Sequence, residues 1–219
     1  STSSSKELRE VRFFDRLDQS AAPRRPLPFS KRWIRDRKAE LHAPPALEVV
    51  ITGRVDIRSF EGRLPTFDRL FNAENLFERA ARNFRRTGRM TSLRMENPPS
   101  IMDWTYPMPM RIEGVSNIYT LHDLVPLRLP YTTLDDKPYY YRLVSTICDQ
   151  ADALCTVSEA SRNDILSFFP AANEKLYNTY QSFRSTPSIL ERTEQQCKAE
   201  LEAVFGLPTR SYLIFFGSL

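Results

Sequence analysis

The chain has 219 residues, enough for one sizeable hydrophobic core, and its 41% apolar and 26% charged content is ordinary for a globular protein. No apolar run approaches the roughly 18 residues of a membrane-spanning helix, and neither glycine-rich motif that cradles nucleotide phosphates is present. The net charge of +4 is unevenly distributed, because residues 1–94 contain 21 Lys and Arg against 12 Asp and Glu, whereas residues 95–219 contain 10 against 15.

The basic half, residues 1–94, has two interpretations. Its arginines can form solvated helix faces, or they can bind an anionic partner such as nucleic acid, a membrane surface or a phosphorylated ligand. Aromatic residues accompany arginines in "KRWIRDRK" and "RNFRRTGR", as in nucleic-acid binders, but no DNA- or RNA-binding motif is recognisable. The residues alone leave both interpretations open.

The cysteine content and the N-terminus indicate a cytoplasmic protein. Cys148, Cys155 and Cys197 are odd in number and lack C-x-x-C spacing, which predicts reduced core thiols. The first residues, "STSSSKELRE", lack the apolar stretch of a signal peptide.

In chain order, residues 1–45 form the first predicted segment, which is basic and helical. We expect a helix over residues 1–20 and a short basic helix in "SKRWIRDRKAEL". The prolines of "SAAPRRPLPF" separate the two helices, because each proline fixes φ and removes a hydrogen-bond donor.

The pattern of apolar residues over residues 46–182 predicts alternating strands and helices. The β-branched run "ALEVVITG" predicts a buried strand, and the spacing of apolar residues from Phe67 to Phe84 predicts an amphipathic helix that Gly88 ends. Strand-like runs follow in "TSLRM", "SIMDW", "SNIYTL", "DALCTV" and "LYNTY", with a helix in "DKPYYYRLVSTICDQA". This order predicts an α/β fold in which helices flank a parallel sheet.

The sequence pattern after residue 182 predicts two further segments. Residues 183–210 read as a polar linker followed by a helix, and residues 211–219, "SYLIFFGSL", read as a buried strand. Such a strand needs neighbours on both sides, so we expect the sequence to be cut at the first strand of a further unit.

Three candidate sites follow predicted strands, where parallel sheets bind ligands. The first is the loop with Trp104, Tyr106 and Pro107, and the second is the pair His122-Asp123. His122 can be a surface residue, a buried hydrogen-bonded one, or a donor and acid/base group in a cleft. One histidine with scattered carboxylates does not make a metal site, so we predict none.

The third candidate site is the start of the helix that follows "DALCTV". Ser158 stands at the expected N-cap, and Ser161 with Asp164 repeats the S-x-x-D pattern. Ser158 can act as a cap alone, or the helix N-terminus can also hold a phosphate or carboxylate.

Taken together, "NIYTLHDLVPLRLPY", "ADALCTVSEASRNDIL", "KLYNTYQS" and "YLIFFGSL" resemble glycosyltransferase family 4, and "WTYPMP" is similar to its bacterial polysaccharide mannosyltransferases. The resemblance covers about Asp103 to Leu219. It implies that residues 46–182 form the N-terminal, acceptor-side Rossmann-like domain of a GT-B fold, truncated at the first strand of the second domain. The usual glycine-rich loop near the start of that domain is not evident.

The resemblance also implies residue roles. His122 would contact the transferred sugar, with Asp123 beside it as the second catalytic candidate. Ser158, Glu159 and Ser161 match the V-S-E-x-S segment, and the loop of Trp104, Tyr106 and Pro107 would offer an aromatic face to the acceptor sugar.

For the whole enzyme, the resemblance implies retaining, metal-independent hexosyl transfer, mannosyl in the closest subset, without a cofactor. The donor would be a nucleotide-sugar such as GDP-mannose, bound by the missing C-terminal domain, and the acceptor a saccharide or a lipid diphosphate-linked sugar. This chain alone would then be inactive. The basic half indicates peripheral contact with an anionic membrane at the inner face of the plasma membrane, and no nucleic-acid partner is expected.

Two other hypotheses stand beside this one. The chain can be a non-catalytic basic module that binds nucleic acid or anionic membrane, or an inert truncated homologue. Salt-dependent binding to oligonucleotides without binding to anionic liposomes would favour the nucleic-acid version of the module.

Overall fold

The computed structural model describes residues 9–15, 45–58, 65–182 and 191–206. The strands are β1 (Pro45–Glu48), β2 (Phe71–Asn72), β3 (Thr91–Met95), β4 (Ile101–Trp104), β5 (Met110–Ile112), β6 (Ser116–Thr120), β7 (Ala153–Thr156) and β8 (Leu176–Asn178). The helices are α1 (Leu76–Thr87), α2 (Val125–Arg128), α3 (Lys137–Gln150), α4 (Glu159–Phe168) and α5 (Glu194–Phe205), with 3₁₀ turns at Pro130–Thr132 and Pro170–Lys175. Residues 9–15 are also helical.

The described strands form two four-stranded sheets. In the first, ordered β2-β1-β3-β5, the last three strands are parallel and β2 is antiparallel to β1. In the second, ordered β4-β6-β7-β8, every neighbouring pair is parallel. The predicted α/β class, a Rossmann-like parallel sheet with flanking helices, is therefore confirmed.

The chain divides into two compact units, Ser1–Tyr180 and Gln181–Leu219. The first contains both sheets. In the second, α5 begins with a capping box in which Thr193 and Gln196 bond each other's backbone N–H groups, and it ends at Gly206. The helix expected after the linker is thus confirmed, while the four predicted segment boundaries stay predictions.

One hydrophobic core contains residues from both sheets of the first unit. Phe84 on α1, Tyr119 on β6 and Ile147 on α3 are almost completely buried in it. The Tyr119 hydroxyl donates a hydrogen bond to the Met110 carbonyl on β5, so β6 of one sheet is tied to β5 of the other. Burying an apolar side chain such as Phe84 or Ile147 stabilises the fold by about 1.5–3 kcal/mol.

Asn117 on β6 is a buried polar residue that joins three neighbouring segments. Its side-chain oxygen accepts from Trp104 Nε1 at 3.1 Å and from the Ile112 N–H at 2.9 Å. Its amide nitrogen donates to the Ile112 carbonyl at 2.9 Å and the Val115 carbonyl at 2.8 Å. Both donors and both lone pairs of the amide are therefore used, which offsets the cost of its burial.

Two predicted elements differ from the structure. The strand expected over residues 46–53 ends at Glu48, and it is not buried as predicted, because its residues are alternately exposed and half-buried. Beyond it, Thr52 N and Oγ1 donate to the buried Glu10 carboxylate at 3.1 and 2.6 Å. The helix expected from Phe67 begins only at Leu76, because Asn75 is in the left-handed conformation at φ 51°. Short strand β2 and an irregular stretch precede it.

Other predictions were incomplete or fall outside the described residues. Strand β5 was not predicted, since "MRI" is short and interrupted by an arginine. Of the helix expected over residues 1–20, residues 9–15 are described as helical. The basic helix in "SKRWIRDRKAEL" and the strand in "SYLIFFGSL" lie outside the described residues.

The three cysteines are free thiols with different burial. Cys148 on α3 is buried, and burial raises the pKa of its thiol to about 12. Cys155 on β7 is half-buried, with a pKa also raised by burial, whereas Cys197 on α5 is exposed. The prediction of core thiols therefore holds for Cys148, partly for Cys155, and is wrong for Cys197.

We expect this burial to set the order of alkylation, because only the accessible thiolate reacts. At pH 8, iodoacetamide should modify Cys197 within minutes and leave Cys148 unmodified until the protein is unfolded. Mass spectrometry of tryptic peptides at timed quenches measures this. Equal rates for Cys148 and Cys197 in the folded protein would contradict the described packing of α3.

Candidate functional site

The three candidate sites lie at one edge of the second sheet. Strands β4, β6 and β7 are parallel neighbours, with Trp104 opposite Tyr119 and Thr120 opposite Cys155. Their carboxyl ends therefore share an edge, and the loops after them carry the three sets of predicted residues. This is the position at which parallel α/β sheets bind ligands.

Trp104 is a core residue, which corrects its predicted role as a face for sugar stacking. Only 5% of its surface is exposed. Its ring stacks on Tyr119 with centroids 6.1 Å apart, and its indole N–H donates to Asn117. The aromatic face that this loop does present belongs to Tyr106, which is 58% exposed.

Tyr106, Pro107, His122 and Asp123 line one cavity of about 290 Å³. The loop after β4 supplies the first two residues, and the loop after β6 supplies the other two. The remaining lining residues come from α2, from the segment before α3 and from α3 itself: Val125, Pro126, Thr133, Asp135 and Tyr140. The structure thus brings four of the eight predicted site residues together around one cavity.

His122 connects the two loops. It is half-buried, and its Nε2 lies 3.0 Å from the Thr105 carbonyl oxygen. Because a carbonyl oxygen only accepts hydrogen bonds, Nε2 carries the hydrogen in this contact. The ring is therefore oriented by the loop after β4, and in the neutral form Nδ1 is the nitrogen with an acceptor lone pair.

Asp123 begins the turn into α2. Its Oδ1 accepts from the Val125 N–H at 3.0 Å, and its carbonyl oxygen accepts from the Tyr140 hydroxyl at 3.0 Å. Burial raises the pKa of Tyr140 above its ordinary value, and the negative charges of Asp123 and Asp135 raise it further. Tyr140 therefore stays a neutral phenol whose hydroxyl holds the loop after β6 in place.

A second cavity of about 290 Å³ adjoins the first and is more apolar. The two share Tyr106, Pro107, Asp135 and Tyr140. Its other walls are α1, the loop before β5 and the start of α3, with Arg85 on α1 packed 4.6 Å from the centroid of the Tyr139 ring. The site is thus a polar compartment beside a compartment of methionine, proline and aromatic side chains.

Ser158, Glu159 and Ser161 do not line either of these cavities. Ser158 is the N-cap of α4, as predicted, and its Oγ accepts from the Ser161 N–H at 3.1 Å and donates to Ser161 Oγ at 3.0 Å. The Glu159 carboxylate accepts from Asn178 Nδ2 at 2.7 Å, which ties α4 to β8. The described contacts of these residues are those of a helix start.

We expect the Ser158→Ala substitution to lower the free energy of unfolding by about 1 kcal/mol, since the Ser161 N–H loses its acceptor. Ser158→Asp, which can cap the same N–H, should restore most of the loss. Urea denaturation followed by circular dichroism measures both variants. An alanine variant as stable as the parent chain would contradict the capping role.

Tyr140, Asp135 and Thr133 were missed by the sequence analysis. Tyr140 lies in the predicted helix "DKPYYYRLVSTICDQA", but helical spacing gives no signal for its hydroxyl, which donates to the Asp123 carbonyl oxygen. Asp135 and Thr133 precede the helix and carried no motif. The available signal was the pair Asp135-Asp136 before Pro138, which marks a helix start facing the loops.

Within the described part of the chain, no three His, Cys, Asp or Glu side chains are grouped so that they could hold a metal ion. No described helix has both the length and the apolar character needed to cross a membrane. Comparison with protein-family models, with curated proteins and with solved structures finds no significant match. The family resemblance therefore rests on the sequence motifs, and the assignment of function stays a proposal.

Proposed function

We propose that this chain is the acceptor-side domain of a retaining, GT-B glycosyltransferase similar to family 4. It would take part in hexosyl transfer, mannosyl in the first instance, from a nucleotide-sugar such as GDP-mannose to a saccharide or lipid-linked saccharide. One observation carries the proposal: His122, Tyr106 and Pro107, which the motifs single out, line one cavity at the carboxyl edge of a parallel sheet.

The chemistry of the cavity suits a sugar. A sugar ring has hydroxyls that both donate and accept and C–H faces that pack on aromatic rings. The lining provides carboxylates, hydroxyls and an imidazole for the sugar hydroxyls, and the exposed Tyr106 ring for the C–H faces. Pro107 also lines the cavity, although it is buried. A volume of about 290 Å³ is at the lower end of small-molecule sites and accommodates one sugar ring.

In the proposed reaction these residues hold the acceptor. His122, oriented by the Thr105 carbonyl, would contact the sugar being transferred, and Asp123 would bind an acceptor hydroxyl. Holding the hydroxyl next to the donor carbon supplies a proximity effect. A second domain would bind the nucleotide-sugar and stabilise the charge of the departing diphosphate with basic groups.

We also propose a cellular location and a membrane surface that the chain contacts. The basic half of the chain would contact anionic lipid at the inner face of the plasma membrane, since each lysine or arginine near such a surface contributes about 1 kcal/mol. Helix α1 contributes to this charge with Arg85 and Arg86 in its last turn.

The test is a transfer assay on the protein encoded by the complete reading frame that contains residues 1–219. It is incubated with each common nucleotide-sugar and a panel of methyl glycosides, and products are identified by mass spectrometry and by the NMR coupling constant of the new anomeric proton. A new glycoside with the donor's anomeric configuration supports the proposal. Inversion of configuration, or no transfer and no hydrolysis across the panel, would contradict it.

A further inference from the structure

The cavity that contains His122 is lined by acidic rather than basic side chains. Among the described residues that line it, Asp123 and Asp135 are carboxylates and none is a lysine or arginine. Lys137 lies behind the wall, where its ammonium donates to the Thr133 carbonyl oxygen, and it is not a lining residue. With Lys137, and with Arg85 and Asp136 of the adjoining cavity, also counted, the formal charge of these described residues is −1 when His122 is neutral.

Both carboxylates line the cavity beside Tyr140. The Tyr140 hydroxyl donates to the Asp123 carbonyl oxygen at 3.0 Å, and Asp123, Asp135 and Tyr140 all belong to the lining. Asp135 is exposed, and it lines both cavities together with Tyr106 and Tyr140. Two carboxylates and two tyrosine rings therefore share one cavity wall.

The wall of this cavity also contains a residue with a polar atom that lacks a hydrogen-bond partner. Thr133 lines the cavity, and its Oγ1 is buried without a hydrogen-bond partner among the described residues. A buried hydroxyl without a partner is destabilising, and a ligand group that reached it could form the missing hydrogen bond. This is an observation separate from the acidic charge, and it points to a polar occupant.

We propose that the cavity binds an acceptor sugar that carries a protonated amino group. Asp123 and Asp135 accept charge-assisted hydrogen bonds from the ammonium, the rings of Tyr106 and Tyr140 pack on the sugar, and Thr133 Oγ1 bonds a ring hydroxyl. This inference rests on the proposed function and narrows its substrate class.

The charge of a ligand determines how tightly this cavity is expected to bind it. An ammonium group gains from both carboxylates and from the negative faces of the tyrosine rings. A neutral sugar keeps the hydrogen bonds and loses the charge term, while a carboxylate or phosphate at the same position is repelled by Asp123 and Asp135. A lipid diphosphate-linked acceptor would therefore have to place its phosphates outside this cavity.

The test compares three ligands with the same ring and different charge: methyl glucosaminide, methyl glucoside and methyl glucuronide. Each is titrated into the full chain at pH 6.5 in low salt, and the dissociation constant is measured by NMR chemical shifts. We expect the amino sugar to bind about fivefold more tightly than the neutral sugar, because an exposed charge pair contributes up to about 1 kcal/mol. The uronide should bind more weakly than both.

Two variants make the test specific. Asp135→Asn, at an exposed position, should reduce the ratio of amino-sugar to neutral-sugar affinity to about twofold or less, whatever its effect on the affinity for the neutral sugar alone. Asp149→Asn replaces an exposed carboxylate at the other end of α3 and should leave the preference intact. Circular dichroism confirms that both variants are folded.

The outcomes separate the two proposals. Equal affinities for the amino and the neutral sugar, or a preference that Asp135→Asn does not alter, would overturn this inference and leave the proposed function standing. If none of the three sugars binds at millimolar concentration, both the inference and the proposed function fail.

Discussion

Replacing Asn117 with alanine is expected to lower the free energy of unfolding by at least about 3 kcal/mol. Asn117 is 2% exposed, and its loss leaves the Trp104 indole N–H, the Ile112 N–H and two carbonyls without their partners. Each buried polar group without a partner costs about 1–3 kcal/mol. Urea denaturation monitored by tryptophan fluorescence measures the change and also reports on the surroundings of Trp104.

Two further variants test the origin of this effect. Asn117→Asp has nearly the same shape but places a second acceptor against the Ile112 and Val115 carbonyls, so it should be at least as destabilising as alanine. Ser116→Ala changes the exposed neighbour on the same strand and should alter stability by less than about 0.5 kcal/mol. If Asn117→Ala were as mild as Ser116→Ala, the described hydrogen-bond network would be wrong.

Replacing His122 with alanine is expected to reduce sugar transfer by the protein of the complete reading frame at least about 100-fold, the typical loss on removing an acid/base or donor group from a site. The variant loses the imidazole that lines the proposed acceptor cavity and the hydrogen bond between Nε2 and the Thr105 carbonyl. The specificity constant measured with the best donor and acceptor pair gives the size of the effect.

His122→Gln separates the two contributions, because glutamine can donate to the Thr105 carbonyl but cannot take up a proton. Recovery of transfer in the glutamine variant assigns His122 a positioning role, and continued loss assigns it a chemical one. His42→Ala, which removes the other histidine of the chain, serves as the control. Full activity in His122→Ala, with an unchanged thermal unfolding midpoint, would exclude His122 from the site.

Local sequence signals predicted much of the fold. Strands β6 and β7 and helix α3 were found because β-branched runs and the spacing of Leu143, Val144 and Ile147 reflect burial on one face. The cap at Ser158 was found because a helix start needs an acceptor close in sequence. The position of His122 followed from the general rule for parallel strands.

What the sequence did not predict depends on partners distant along the chain. The burial of Trp104 was not predicted, because its hydrogen-bond partner Asn117 is 13 residues away and belongs to no motif. The hydroxyl of Tyr140 reaches the Asp123 carbonyl across 17 residues, so periodicity identified only its ring. The helix does not begin at Phe67 as expected, because β2 pairs with β1 and Asn75 is in the left-handed conformation. Both features override the helical spacing of the apolar residues.

Sugar binding in the cavity lined by His122, Tyr106 and Tyr140 is the step on which the proposed function depends. Titration of the ¹⁵N-labelled chain with methyl glycosides, followed by chemical shift, measures this binding residue by residue. We expect saturable shifts at Tyr106, His122, Thr133 and Tyr140 and none at Arg94 or Glu96, which line a separate cavity. Shifts that cluster at Arg94 and Glu96 instead, or no saturable shift at any residue, would contradict it.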